Sequence, residues 1–338
     1  MYHPRLTGSH YCMGYKYGSL MKKNSAHISE VDKLTNGKME FGSMCIAVCN
    51  DVFPEAVEEM RGLADGLQIS FSRFAGWIFC IYCYEYIHGC TCFAIRDAVS
   101  TIFGRNSDFY TAIRDVCESA LYLPDKGYRF IGNSTAMVQM EDGYNEYGLA
   151  IGLTFIPPQV IKPGLNAGIL LRYILEKCKT VKEALEALYL LPISSAQTFT
   201  MVDKTGEMAV VECNCEKIVV IDAEENENYL VSTNQFVTPE MQQYEILNFI
   251  DSKERYEVAR MALQLNKNYS CELAENILGG KYGFMCQYKR IFGFDTLWST
   301  ICDLTNDRIF RAEGNPSKAK FKEDIRLRAA KGTRGKPT

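Results

Sequence analysis

HGCTCFAIRDAVSTIFGRNSDF, from His88 to Phe109, says most about how this chain folds. Two runs, 90–96 and 99–105, are rich in β-branched and aromatic residues and flank Asp97 and Ala98. The pattern predicts an antiparallel hairpin turning at Asp97 and Ala98, with Cys90 opposite Arg105. A thiol, a permanent cation and the carboxylate of Asp108 then sit together. All four histidines (His3, His10, His27 and His88) precede Cys90, which limits what could activate that thiol.

The two sides of Cys90 differ in character. Residues 1–89 read mostly as helices. Ser9 is a cap candidate for one; a second, over 54–67, has Pro54 at an early position and Val57, Met60, Leu63 and Ala64 on one face. A third run, 70–86, is apolar nearly all round and should be buried, while 33–42 looks like a loop. After Cys90, strand-like runs fall at 90–96, 99–105, 135–141, 148–155, 197–202, 207–213, 217–222 and 229–233, with turn signals such as Asp142-Gly143 between them. Helices are expected at 167–178, 181–190 (capped by Thr180 with Glu183), 239–249, 255–265 and 271–278. Strands at 296–303 and 307–312 close the folded part. Residues 316–338 are basic and read as a solvated, disordered tail. Antiparallel strands interrupted by helix pairs point to α+β sheets covered by helical layers.

The chain's 338 residues can bury one large core or two modest ones. A hydrophobic fraction of 47% with 23% charged residues is ordinary for a globular protein, and a net charge of −4 gives no general reason to expect nucleic acid. The opening MYHPRLTGSHYC lacks a basic segment followed by an apolar stretch, so no secretory signal is expected. The apolar run 74–87 contains Glu85 and is too short for a bilayer. A cytoplasmic protein without a membrane partner is the expectation. The fourteen cysteines then read as free thiols. Cys80 with Cys83, and Cys213 with Cys215, have metal-like spacing, yet each pair sits in an apolar or strand-like run. Cysteine packs well as a small hydrophobe, so no metal or cofactor is expected.

A cysteine nucleophile must lose a proton, and its ordinary pKa is about 8.5. The usual base is histidine. His88 shares a strand face with Cys90, but a cysteine–histidine dyad would also need an orienting group and a helix start beneath the thiol. The other solution makes the cysteine the first residue of a mature chain, so that its own amine, of pKa about 7.7–8.0, takes the thiol proton. That requires the Gly89–Cys90 bond to be cut, and a glycine before the cysteine leaves the thiol free access to the preceding carbonyl. The plainer alternative makes Cys90 an inward-facing strand residue.

The segment resembles the active-site start of N-terminal-nucleophile amide hydrolases of the choloylglycine hydrolase and acid ceramidase type. There a Cys-Thr or Cys-Ser step opens the mature chain and G-R-N-x-D follows on the second strand. GSHYCMGYKYG, RGLADGLQISF (61–71), GCTCFA, GYNEYGLAIGLTF (143–155), LRYILEKCKTVKEALEAL (171–188), DKTGEMAVVE (203–212) and STNQF (232–236) are together similar to the isopenicillin N acyltransferase-like, peptidase C45-like branch. The resemblance implies a four-layer αββα sandwich, with 1–89 as the α-chain left by self-cleavage and 90–315 as the catalytic domain. It makes Cys90 the nucleophile for self-cleavage and for substrate. Asp108 would hold the amine, and Arg105 would lower the thiol pKa. Asn234 would give one oxyanion donor from its side chain, and Thr154 a second from its backbone N–H. Asn145 and Glu146 read as turn residues. Cys92, where many relatives carry Ser, is an alternative nucleophile or redox partner.

The activity this implies is hydrolysis of linear, non-peptide C–N amide bonds of a small acyl amide through a thioester. The alternative is an acyltransferase moving an acyl group to an amine, with acyl-CoA as a possible donor. A non-catalytic binding protein on the same scaffold is the reading from a different class. Cleavage would leave a self-derived α/β heterodimer.

Overall fold

The computed structural model describes residues 1–24, 28–84, 89–223, 228–246, 251–266, 268–288 and 290–331. Strand β1 (Arg5–Gly8) precedes helices α1 (His10–Lys23), α2 (Ser29–Asp32), α3 (Asn36–Val52), α4 (Pro54–Leu67) and α5 (Phe71–Cys80). A run of strands follows: β2 (Gly89–Arg96), β3 (Thr101–Tyr110), β4 (Glu118–Pro124), β5 (Phe130–Ser134), β6 (Asp142–Asn145) and β7 (Leu149–Ile156). Helices α6 (Ala167–Lys177) and α7 (Val181–Leu190) lead to β8 (Ala196–Asp203), β9 (Met208–Cys213), β10 (Ile218–Asp222) and β11 (Tyr229–Ser232). The chain continues through α8 (Pro239–Gln242), α9 (Ser252–Leu265) and α10 (Cys271–Leu278). Strands β12 (Phe294–Asp303), β13 (Arg308–Glu313) and β14 (Lys322–Glu323) and helix α11 (Arg326–Lys331) complete it.

Among the described residues the strands form two sheets. The eight-stranded sheet has the order β1-β4-β5-β6-β7-β8-β9-β10, and the six-stranded sheet β11-β2-β3-β12-β13-β14. Every named pairing is antiparallel except β1 with β4. The period-2 side-chain pattern sorts the cores. Cys92, Ala94, Phe103, Ile131, Ala150 and Val202 fill the space between the sheets. Phe93, Ile95 and Ile102, on alternate positions, face α9 and α10. On the far side, α1 and α3 to α7 bury their apolar faces against the eight-stranded sheet. Helix, sheet, sheet, helix is the αββα sandwich of an α+β protein.

Several expectations change. Residues 36–42, read as loop, are the first turns of α3, capped by Thr35, whose hydroxyl accepts from Lys38 N. Residues 135–141 are not a strand; they form the connection from β5 to β6, with Met137 at φ 54°. The strands β1, β4, β5, β6 and β14 escaped the sequence reading, and Asp142-Gly143, read as a turn, instead opens β6, where both residues pair with β5 and β7. The basic C-terminal segment is not free through residue 331. Asp324 bridges Arg311 at 2.7 Å and Arg326 at 2.6 Å, and these two cations hold its carboxyl well below its ordinary range despite burial. Leu327 and Ala330 are the buried residues of α11. His27, His88 and residues 332–338 lie outside the described residues, as do parts of the runs expected at 70–86 and 239–249.

The N-terminal segment is closely packed within itself and tied to the rest by buried charge. In α1 and α4, Gly14 and Gly18 face Gly62 and Gly66 so closely that a Cβ on Gly14 would lie 2.1 Å from the Glu59 carbonyl oxygen. Across the boundary at Cys90, Arg172 of α6 pairs with Glu59 of α4 at 2.8 Å, and also with Glu176 at 3.0 Å. Glu176 in turn bonds His10 of α1 at 2.7 Å. Such buried charges are tolerable because each is partnered.

Candidate active site

The hairpin forms, but with a four-residue turn. Asp97 caps it by accepting from Val99 N and Ser100 N, each at 2.8 Å. The register therefore sets Cys92 opposite Arg105 and Cys90 opposite Ser107, two residues from the expected pairing. A shift of two keeps every side chain on its face. Arg105 consequently reaches Cys90 diagonally, with Nη2 donating to Sγ at 3.1 Å. Both residues point into the space between the sheets. The Arg105 Nε donates there to Leu153 O of β7 at 3.1 Å, and Nη1 to Asp142 Oδ2 at 2.9 Å and to Ser107 Oγ. Asp142 is steadied by Trp298 Nε1 at 2.9 Å and by Thr300 Oγ1 at 3.1 Å.

Burial pushes the Cys90 thiol up to about 12 in this uncut chain; Arg105 pulls it down, and Glu141 and Asp108 oppose that pull. Burial alone would lower the Arg105 pKa. The acidic groups around it, Cys90 and Asp142 first, hold it well above the ordinary value, so it remains a cation.

At its backbone, Cys90 N donates to Asn234 Oδ1 at 2.7 Å. Asn234 follows β11, which pairs with β2 through Ser232 opposite Cys92. Its Nδ2 donates to Phe155 O at 2.9 Å, tying the amide plane between the sheets. Asn234 Oδ1 also accepts from Arg255 Nη2 at 2.9 Å, and Arg255 Nη1 donates to Cys90 O and, at 2.9 Å, to Thr91 Oγ1. Arg255, on α9, is 1% exposed and packs against the backbone of the cysteine from the helical side.

Asp108 departs from the expected cluster. By alternation it faces the helical layer along with Asn106, whose Nδ2 donates to Leu278 O at the end of α10 at 3.0 Å. Its carboxylate accepts from Thr296 Oγ1 at 2.5 Å and Tyr288 OH at 2.8 Å, and lies 3.9 Å from Arg255 Nη1. Burial raises its pKa against these partners. The cation and carboxylate of the GRNSD segment thus lie on opposite faces, Arg105 beside the sulfur and Asp108 beside the Gly89–Cys90 backbone. Gly89 is opposite Asp108, and a Cβ there would meet Asp108 Cβ at 3.0 Å and Phe294 Cζ at 3.3 Å. Only glycine leaves that carboxylate undisturbed.

Thr154 is buried, with Oγ1 donating to Thr233 O at 2.7 Å and 2.5 Å from Thr198 Oγ1. Its hydroxyl anchors the residue before Asn234. Cys92 lies 3.9 Å from Leu153 O, and burial pushes its thiol up too. Asn145 holds its turn, donating to Leu175 O and Cys178 O and accepting from Tyr147 N and Leu149 N. The described histidines bond elsewhere, His10 to Glu176 and His3 to Glu313, each at 2.7 Å. Arg255, Glu141, Asp142, Tyr288 and Thr296 were missed in the sequence. Arg255 stands in KERYEVAR, where nothing local distinguishes it from Lys253 or Arg260. Among the described residues no cluster of His, Cys, Asp and Glu has metal-holding geometry, and no helix is long and apolar enough to cross a membrane.

Two facing, mainly antiparallel sheets between helical layers, with a cysteine near the start of an inner strand, are the architecture of the N-terminal-nucleophile hydrolases. The chain belongs to the acyl-coenzyme A:6-aminopenicillanic acid acyltransferase family, whose model matches residues 96–318. That match takes in Arg105, Asp108, Thr154, Asn234 and Arg255 and begins after Cys90. Among solved structures, the chain is similar to penicillin V acylase from Agrobacterium tumefaciens, with 18% identity over 66% of this chain and 82% of that one, at a TM-score of 0.49. It is similar to the Caenorhabditis elegans ortholog of N-acylethanolamine-hydrolyzing acid amidase, with 16% identity over 64% and 93% and a TM-score of 0.48. A mutant of conjugated bile acid hydrolase from Clostridium perfringens matches at 15% identity over 70% and 96%, with a TM-score of 0.46. No curated protein matches the chain by sequence.

Proposed function

We propose that this protein is a cysteine amidohydrolase that activates itself by cutting before Cys90 and then cleaves small linear acyl amides. The observation that carries the reading is that both reactive ends of one residue are held at once. The Cys90 N–H is on Asn234 Oδ1 at 2.7 Å, and its Sγ is on Arg105 Nη2 at 3.1 Å. A merely packed cysteine needs neither.

In the uncut chain, Sγ adds to the Gly89 carbonyl carbon. The C–N bond breaks as the nitrogen takes a proton, leaving a thioester that water hydrolyses to a Gly89 carboxylate and a free Cys90 amine. That amine then serves as base for substrate. It accepts the thiol proton, Sγ attacks the amide carbonyl, and the ammonium returns a proton to the departing amine. Water resolves the acyl-enzyme. Asn234 and Thr154 are the candidate oxyanion donors, a position where one donor is worth about 10²–10³ in rate. Asp108 lies beside the backbone where the new amine would form.

The segment 1–89 should remain bound after the cut as one half of a heterodimer, since β1 pairs with β4 and α4 shares the Glu59–Arg172 pair with α6. All fourteen cysteines are free, which supports a reducing, cytoplasmic setting. The family description favours a second reading, transfer of the acyl group from acyl-CoA or an amide to an amine.

The test is the intact mass of purified protein. Two fragments with a new N-terminus at Cys90, absent in Cys90→Ala, are expected. A single chain that still turns over amides would overturn the amine-as-base mechanism. A panel of acyl amides and acyl-CoA thioesters, with and without an acceptor amine, separates hydrolysis from transfer. A chain that neither cuts itself nor consumes any of them would be a binding protein.

A further inference from the structure

The Arg105 guanidinium is shared by a group that the self-cleavage chemistry does not use. Glu141 ends the β5–β6 connection, 1% exposed, and its Oε1 accepts from Thr135 Oγ1 at 2.8 Å and Thr135 N at 3.2 Å. Its Oε2 is buried without a hydrogen-bond partner and lies 3.6 Å from Arg105 Nη2, the nitrogen that donates to Cys90 Sγ. The backbone holds it in place, with Glu141 N on Asn133 O at 2.8 Å and Glu141 O accepting from Leu153 N at 2.9 Å. A buried carboxylate oxygen is costly to leave unpaired, and Arg105 Nη2, which gives one hydrogen to the sulfur, stands just beyond hydrogen-bond distance of it.

We propose that Glu141 is a positioning residue for Cys90: its ionised carboxylate draws the Arg105 Nη2 end of the guanidinium away from the sulfur, and its protonation leaves that cation closer to Cys90. With Glu141 ionised, a small shift of Arg105 satisfies Oε2 and weakens the support of a thiolate. With Glu141 protonated, its charge no longer opposes the pull of the cation on Cys90. The charged and titratable groups facing Glu141 are Arg105 from β3, Cys90 from β2, Tyr82 after α5, Cys117 ahead of β4, and its neighbour Asp142. Burial pushes Glu141 up to about 7, against the pull of Arg105, so the exchange falls in the neutral range. The inference rests on the reading of Cys90 as the nucleophile.

The test is the rate of Cys90 alkylation by iodoacetamide from pH 5.5 to 8.5, read on the Cys90-containing peptide by mass spectrometry in the full-length protein. It does not require amide turnover, so a protein that fails on every amide counts against the amidohydrolase and leaves this result standing. The expected ratio of Glu141→Gln to wild type is about one at pH 5.5 and rises to about tenfold at pH 8.5, the effect of one unit in the thiol pKa. A second variant, Thr135→Val, keeps the carboxyl but removes a hydrogen bond that stabilises its ionised form. Its alkylation should match Glu141→Gln up to a higher pH than wild type does. It carries the test if the Gln variant does not fold. A ratio that stays flat across the range, including equal unreactivity, overturns the proposal, as does a Thr135→Val profile identical to wild type.

Discussion

Asn234 joins the two halves of the candidate site: its Oδ1 takes the Cys90 N–H at 2.7 Å while its Nδ2 is fixed on Phe155 O at 2.9 Å. The amide is oriented from the opposite sheet, so it meets Cys90 at a set angle without help from the segment that would be cut.

Asn234→Ala removes the acceptor at the scissile nitrogen and the candidate oxyanion donor together. Self-cleavage should slow by about 10²–10³, the usual cost of one oxyanion donor, with folding retained. Densitometry of precursor against fragments over time measures it, and cutting at the wild-type rate would remove Asn234 from the mechanism.

Arg255→Lys retains the charge near Asp108 but not the fork that spans Cys90 O, Thr91 Oγ1 and Asn234 Oδ1. Hydrogen bonds to a charged group are worth about 1.5–3 kcal/mol each, so losing even one should slow cleavage about tenfold or more. The thermal midpoint should fall as well. Normal cleavage would show that Arg255 serves packing alone.

Gly62→Ala places a methyl 2.2 Å from the Tyr11 carbonyl oxygen, where backbone and not a flexible side chain must yield. Forcing α1 from α4 should cost about 1–3 kcal/mol, seen as a lower midpoint in urea. An exposed glycine with open space, Gly37, is the control and should tolerate alanine.

Stability should depend on pH through Glu118, whose buried carboxyl is bonded by Tyr17 OH. Burial raises its pKa from 4.5 to about 8. The native state therefore keeps a proton that the unfolded chain has lost, so stability falls as pH rises from about 5 to 8, with a slope approaching 1.4 kcal/mol per unit. Glu141, raised to about 7, adds to the same window. Glu118→Gln should flatten the dependence by its share in unfolding titrations. An unchanged slope would mean that Glu118 is ionised in the folded protein.

That Cys90 and Arg105 share a face was legible from the residues alone, because side chains on a strand alternate with a period of two and an error of two residues in the turn leaves that parity intact. The same local reasoning yielded α6, α7 and α10, where caps and apolar spacing agree. Parity also separates Asp108 from Arg105, a consequence visible in the numbering. What Asp108 meets on its own face was settled elsewhere, by Tyr288, Thr296 and Arg255 arriving from distant elements. Packing of the layers chose Arg255 among similar helical cations and put Glu141 on Arg105. It also drew the basic segment up to Lys331 onto the protein through Asp324, Arg311 and Arg326. Local propensity acts over a few residues, whereas a buried charge is placed by whatever the packed layers bring within reach of it.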